Sequence, residues 1–170
     1  SEKDRRRLIL MEYRKNDIVT LEIVDCGTDG EGIGKADGFT VFVKDAVIGD
    51  TVTAKIMKAK KNYGYGRLME ILNASPYRVE PVCPSARQCG GCQLQAVSYE
   101  EQKVFKEKKL RGHLERIGGF TNLPMEPLIG MDEPYHYRNK AQFPVGRNKE
   151  GKIVAGFYAG RTHAIIENRD

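Results

Sequence analysis

Residues 18–72 read IVTLEIVDCGTDGEGIGKADGFTVFVKDAVIGDTVTAKIMKAKKNYGYGRLMEIL. Val19, Leu21 and Ile23 alternate with Thr20 and Glu22. Phe39, Val41 and Val43 alternate with Thr40 and Phe42, and Val52, Ala54 and Ile56 with Thr51, Thr53 and Lys55. A period of two places one set of side chains on each face, so these runs predict half-buried antiparallel strands. The breaks carry turn chemistry. Asp29-Gly30 and Asp37-Gly38 suit the positive φ angles of tight turns, while Gly49-Asp50 and Asn62 close two further connections. Short strands at this spacing predict a small closed barrel, which leaves little strand edge unprotected.

Outward from the barrel the pattern changes. Residues 1–16 are mostly polar and contain Arg5-Arg6-Arg7, a tail that could touch phosphate. Ser75-Pro76 and Pro81 to Pro84 mark a boundary. Ser98 with Glu101 forms a capping box that starts a helix; Val104, Phe105, Leu110, Leu114 and Ile117 supply its apolar face, and Gly118-Gly119 ends it. Beyond Pro134, residues 136–145 and 152–158 are expected strands joined by a polar turn at 148–151, and 162–166 a third. The expected division is a tail at 1–16, a barrel at 17–74, a cysteine loop at 75–97 and an incomplete α+β domain at 98–170.

The chain has 170 residues, 28 of them Lys or Arg against 23 Asp or Glu, giving a formal charge of +5. A basic balance favours anionic partners, nucleic acid first. No run approaches the ~18 apolar residues of a membrane span, and Ser1 to Arg7 does not read as a signal peptide. A cytoplasmic location is expected.

Three of the four cysteines, Cys83, Cys89 and Cys92, fall in CPSARQCGGC. Clustered thiols in a reducing compartment serve metal or redox chemistry more often than disulfides. Gly90-Gly91 lets backbone approach a cluster and its N–H groups meet sulfur. Iron–sulfur clusters take four thiolates, and only three are near. An iron–sulfur site, a zinc site completed by His113, His136 or His163, and three unligated thiols all remain open on spacing. Cys26 reads as a small buried residue.

Lys55, Lys58, Lys60, Lys61 and Arg67 fall in a stretch without acids that also holds Tyr63 and Tyr65 between glycines. Cations track phosphates and exposed rings stack on unpaired bases, so these seven residues are candidate RNA contacts. The basic residues of the helix are mixed with glutamates and read as a solvated face. Arg138 and Lys140 could extend an RNA track.

DGEGIGKADGFTVFVKDAVIGDTV, followed by KKNYGYGRL, resembles a TRAM domain, an oligonucleotide-binding-like barrel of RNA-modifying enzymes. PYRVEPVCPSARQCGGCQLQ resembles the iron–sulfur motif of bacterial RNA uracil-5 methyltransferases, the ribosomal RNA group in particular. YRNKAQFPVG and GFYAGRTHAIIEN resemble the central domain of the same enzymes. The fold so implied is mainly β with α+β: a five-stranded TRAM barrel, then a small central domain with an antiparallel sheet and one long helix.

The resemblance implies a parent enzyme that moves a methyl group from S-adenosylmethionine to carbon 5 of a uridine in 23S ribosomal RNA, acting as a monomer. A cysteine would add to carbon 6 of a flipped-out base and a general base would later remove the carbon 5 proton. Those groups belong to a Rossmann-like domain not recognised here, so no catalytic or S-adenosylmethionine-binding residue is expected in this chain. Gly30 to Gly34 reads as a hairpin rather than a nucleotide cradle, and Cys26 does not sit in the nucleophile motif. Cys83, Cys89 and Cys92 would be three ligands of a 4Fe-4S cluster, with the fourth expected just beyond Asp170 of a truncated piece. The alternative is a non-enzymatic RNA-binding module with structural zinc.

Overall fold

The structure, a computed structural model, describes residues 13–168. Arg5-Arg6-Arg7 of the expected tail lies outside them. The chain divides into two compact units between Arg78 and Val79.

The first unit is a closed barrel. Its strands are β1 (Ile18–Cys26), β2 (Gly32–Ala36), β3 (Phe39–Lys44), β4 (Thr51–Ala59) and β5 (Tyr63–Asn73), in the order β1-β2-β3-β5-β4 with β4 returning to β1. The alternating residues behave as the sequence predicts. Leu21, Ile23, Val41, Val43, Val52, Ala54 and Ile56 fill the core, joined by Leu68. Asp37 and Gly38 both take positive φ (48° and 82°), the geometry of a two-residue hairpin turn.

Four seams are antiparallel; β3 and β5 pair in parallel. The inner side of β5 is crowded by both neighbouring strands. A Cβ on Gly64 would lie 2.7 Å from the Lys58 carbonyl oxygen, and one on Gly66 would lie 3.0 Å from Val41 Cγ1. The alternation Tyr-Gly-Tyr-Gly-Arg-Leu thus places glycines where an added side chain would press on a backbone carbonyl or on core methyls, and turns the tyrosines outward.

At one end of the barrel Asp50 is wholly buried and fully engaged. Its carboxylate accepts hydrogen bonds from the N–H groups of Val47 (2.7 Å) and Ser75 (2.8 Å), and from Arg78 Nε (3.1 Å) and Nη2 (2.5 Å). Arg78 also donates to the Asp45 carbonyl, 2.7 Å away. Burial alone would raise the carboxyl's pKa; Arg78 and the two N–H groups outweigh it and hold it below the ordinary value.

The second unit holds α1 (Tyr99–Arg116) and a three-stranded antiparallel sheet of β6 (Val145–Arg147), β7 (Ile153–Tyr158) and β8 (Ile165–Glu167), in the order β6-β7-β8. Ser98 Oγ caps the helix by accepting from the Glu101 N–H, and Gly119 (φ 71°) closes it as the Phe120 N–H reaches back to the Leu114 carbonyl. Asn148 Oδ1 accepts from the N–H groups of Glu150 and Lys152, fixing the predicted turn.

Several expectations need correction. Residues 136–144 are irregular, and only Val145 begins the strand. His136 is in the left-handed region (φ 55°), and Pro144 has no N–H for a ladder. The third strand starts at Ile165 rather than Thr162, because Arg161 (φ 61°) and the Thr162 N–H to Ala159 carbonyl bond hold a turn. No residue of α1 is buried, and Ile117 is 81% exposed. At about 100° per residue, Leu110, Leu114 and Ile117 share one stripe while Phe105 lies roughly opposite. Cys26 is half-buried rather than buried, since the bulge between Ile23 and Asp25 breaks the alternation just before it.

Candidate nucleic-acid interface and cysteine loop

Strand register assembles the first candidate site. Tyr63, Tyr65 and Arg67 point outward from β5, alternating with the inward Gly64, Gly66 and Leu68. On one side, β4 places Lys58 opposite Tyr65 and Lys55 opposite Arg67. On the other, β3 places Phe42 opposite Tyr65 and Lys44 opposite Arg67. Lys60 and Lys61 are exposed at the β4–β5 turn, which the Lys60 N–H to Tyr63 carbonyl bond tightens.

The three rings form one group. Phe42 and Tyr65 have centroids 5.7 Å apart and planes tilted by 33°, and Tyr63 stands nearly edge-on to both, at 6.1 Å from Phe42 and 6.0 Å from Tyr65. These are favourable aromatic geometries, and they leave Tyr63 exposed and the other two half-covered. All seven residues expected on this surface therefore lie on adjoining strands or their turn. Phe42 and Lys44 were missed. The signal for both was present, because FTVFVK puts Phe42 and Lys44 on the polar side of β3; what the sequence did not show was that β3 lies beside β5.

Arg138 and Lys140 are exposed in the irregular segment of the second unit. The Arg138 guanidinium lies 6.0 Å from the Tyr137 ring centroid, within reach of a cation–π contact.

The cysteines lie in one loop at three depths: Cys83 half-buried, Cys89 buried, Cys92 exposed. The Cys89 segment is docked on the β7–β8 hairpin. Cys89 bridges to Ala159, the Gly90 N–H donates to the Tyr158 carbonyl at 2.9 Å, and a Cβ on Gly90 would approach that oxygen to 2.8 Å. The Gly91 N–H donates to Cys89 Sγ at 3.3 Å, the kind of contact that favours a thiolate ligand. The Cys83 N–H is held by Gln95 Oε1 at 3.2 Å. The donors are of the right kind for iron or zinc, but they are not gathered: among the described residues no group of three or more His, Cys, Asp or Glu side chains is placed to hold a metal ion. None of His113, His136 and His163 completes such a group; His163 instead meets the Tyr158 ring edge-on at 5.3 Å. No α-helix among the described residues is long and apolar enough to cross a membrane.

A closed five-stranded barrel with a basic, aromatic outer face defines an oligonucleotide-binding-like module. Residues 14–69 match the family model of the TRAM domain, and the first unit is a TRAM domain. The chain is also 50% identical over 153 residues to a protein of Halalkalibacterium halodurans named as an uncharacterized RNA methyltransferase, covering 90% of this chain and 33% of that one. Proteins with the same printed name from Clostridium acetobutylicum (49% identity, 93% of this chain and 35% of the relative) and Bacillus cereus (47%, 89% and 33%) match equally broadly. The chain thus spans about a third of the length of these relatives. A solution structure of a conserved protein of Methanococcus maripaludis is 25% identical, with a TM-score of 0.34, over 38% of this chain and 91% of that one.

Proposed function

We propose that this chain is the RNA-contacting part of an RNA methyltransferase that uses S-adenosylmethionine to methylate carbon 5 of a uridine in 23S ribosomal RNA. The observation that carries the reading is the joint likeness: the similarity to proteins named RNA methyltransferase runs through the barrel and the second unit alike. The basic, ring-bearing face of the barrel supports RNA as the partner. The uridine, its carbon 5 and the ribosomal substrate rest on the resemblance of CPSARQCGGC and YRNKAQ to the uracil-5 enzymes.

In this reading the barrel holds RNA through Lys55, Lys58, Lys60, Lys61, Tyr63, Tyr65 and Arg67, and the second unit adds Arg138 and Lys140. No residue of this chain is assigned to catalysis or to the methyl donor. Cys83, Cys89 and Cys92 are proposed ligands of a 4Fe-4S cluster whose remaining ligand comes from outside this sequence. Donor type and the Gly91 N–H on Cys89 Sγ support it, and it requires Cys83 and Cys92 to close on Cys89. When bound, such a cluster would supply a fixed cross-link within the unit.

The test is transfer of labelled methyl from S-adenosylmethionine to 23S ribosomal RNA by the full-length protein, with nucleoside analysis of the product. Label in 5-methyluridine supports the reading, and label elsewhere or none rejects it. Metal analysis of the same protein, purified without air, separates about four irons per chain from a single zinc.

A further inference from the structure

We propose that one face of the β6-β7-β8 sheet is the seat of an amphipathic helix, drawn from the part of the parent protein that lies outside this sequence. The inference goes beyond the methyl-transfer reading and stands whichever nucleotide the parent modifies. Strand register sorts the side chains of the sheet between two faces. Val145 lies opposite Ala155, Arg147 opposite Ile153 and Phe157 opposite Ile166, so these six share one face. Gly146 opposite Val154, and Gly156 opposite Glu167, share the other. Burial is the reverse of what the side chains favour. Val154 and Gly156 are buried, whereas Val145 and Ile153 are each 69% exposed, with Ala155 exposed beside them. Phe143 extends the open face, its ring 4.9 Å from that of Phe157. Only the Phe157 end is approached by another segment, where a Cβ on Gly91 would lie 3.3 Å from the ring. No residue of α1 is buried, so α1 does not supply the cover.

A sheet face of aliphatic and aromatic side chains is unfavourable in water until another layer lies on it, and a contiguous exposed apolar patch marks a surface that binds something. Three strands about 4.8 Å apart span roughly 10 Å, the width of one helix. The only charge on this face is Arg147, at the β6 rim, and its guanidinium donates to the Gly151 carbonyl at 2.7 Å. The middle of the patch is therefore apolar and suits the apolar stripe of a helix. Phe143, Val145, Ile153, Ala155, Phe157 and Ile166 are far fewer than the roughly 20–30 residues a side that join separate molecules stably. An element on the same chain acts at high effective concentration and needs less area. The relatives show that such chain exists, since the matched part is 33% and 35% of their length.

The test compares the 170-residue chain with the full-length protein. Val145→Cys and Ile153→Cys are made in both, with Lys149→Cys in the exposed β6–β7 turn as control. Alkylation is timed by peptide mass mapping, which separates these positions from the native cysteines. In the short chain all three should react at similar rates. In the full-length protein positions 145 and 153 should slow by on the order of a hundredfold, with 149 unchanged. A photo-crosslinker carried on Ile153→Cys should join residues outside 1–170 that are three or four apart. Hydroxyl-radical footprinting of the two unsubstituted proteins reads Phe143 and Ile153 without any variant, and both should lose oxidation in the full-length protein. Equal reactivity and equal footprints in the two proteins overturn the proposal. Protection of the short chain that grows with its concentration would make a second copy the occupant, and protection that appears only with added RNA would make it RNA; either result overturns it. Cross-links two residues apart, or confined to 1–170, overturn the helix. Loss of methyl transfer with protection intact rejects the functional reading and leaves this inference standing.

Discussion

Arg78 Nη2 lies 2.5 Å from Asp50 Oδ2, joining the last residue of the barrel unit to a carboxylate that has no exposed surface. The pair spans 28 residues of sequence. It ties the segment after β5 to the turn before β4, where Ser75 and Val47 complete the carboxylate's hydrogen bonds.

Arg78→Met should destabilise the barrel by about 3 kcal/mol, the lower end of the cost of breaking a buried pair, because Asp50 keeps its two backbone donors. Urea unfolding followed by tyrosine fluorescence measures it. A change under roughly 0.5 kcal/mol would make the pair an ordinary surface contact.

The same pair gives a pH dependence with a definite sign. Asp50 is held below its ordinary value of 3.8, so the carboxylate's contribution is full above that value and is lost as pH falls through the lowered one. The stability advantage of the parent over Asp50→Asn should therefore be constant from about pH 5 to 7 and shrink below about pH 4. Thermal unfolding across that range checks it; an advantage that grows in acid would reverse the assignment.

Gly64→Ala should cost more than Gly66→Ala. The first meets a backbone carbonyl at 2.7 Å, which cannot move aside cheaply; the second meets side-chain methyls at 3.0 Å and 3.2 Å, which can give. Overpacking of this kind costs about 1–3 kcal/mol, with Gly64→Ala at or above the upper end. Melting temperatures of the two variants rank them.

Cysteine alkylation of metal-free protein should proceed in the order Cys92, Cys83, Cys89, following exposed, half-buried and buried positions. Gly90→Ala, which would place a methyl 2.8 Å from the Tyr158 oxygen, should undock the segment and raise Cys89 reactivity toward that of Cys92. Peptide mass mapping over time reads both. Equal rates in the parent would mean the loop is not held on the β7–β8 hairpin.

Replacing Lys58, Lys60 and Lys61 with alanine should flatten the salt dependence of RNA binding by up to about 2, at about 0.7 for each phosphate contact. An unchanged slope would take the β4–β5 turn out of the interface.

The barrel was legible because its signals are local. The alternation of Val41, Val43, Val52, Ala54 and Ile56 is read within each strand, and Asp37-Gly38 and Gly49 announce their own φ angles. The cap at Ser98 and the stop at Gly119 are equally local. What escaped depends on pairings distant in sequence. Phe42 and Lys44 join the candidate surface only through the parallel β3–β5 seam, and Asp50 acquires meaning only when Arg78 reaches it. The helix face was misread because apolar residues were counted without their angles, which put Phe105 opposite the Leu110, Leu114 and Ile117 stripe. The cysteines were legible as a loop, but a spacing does not specify the separation of three sulfur atoms.

The parallel seam has a consequence for how the molecule is made. Hairpins such as β2–β3 can zip as soon as their turns emerge, but β3 meets β5 only after β4 has carried the chain back across the bottom of the barrel. Phe42 and Tyr65 therefore become neighbours only when β3 and β5 pair, so the ring group exists only in the closed barrel. A surface assembled this way is lost as a unit when the seam opens, whatever the state of the β2–β3 hairpin.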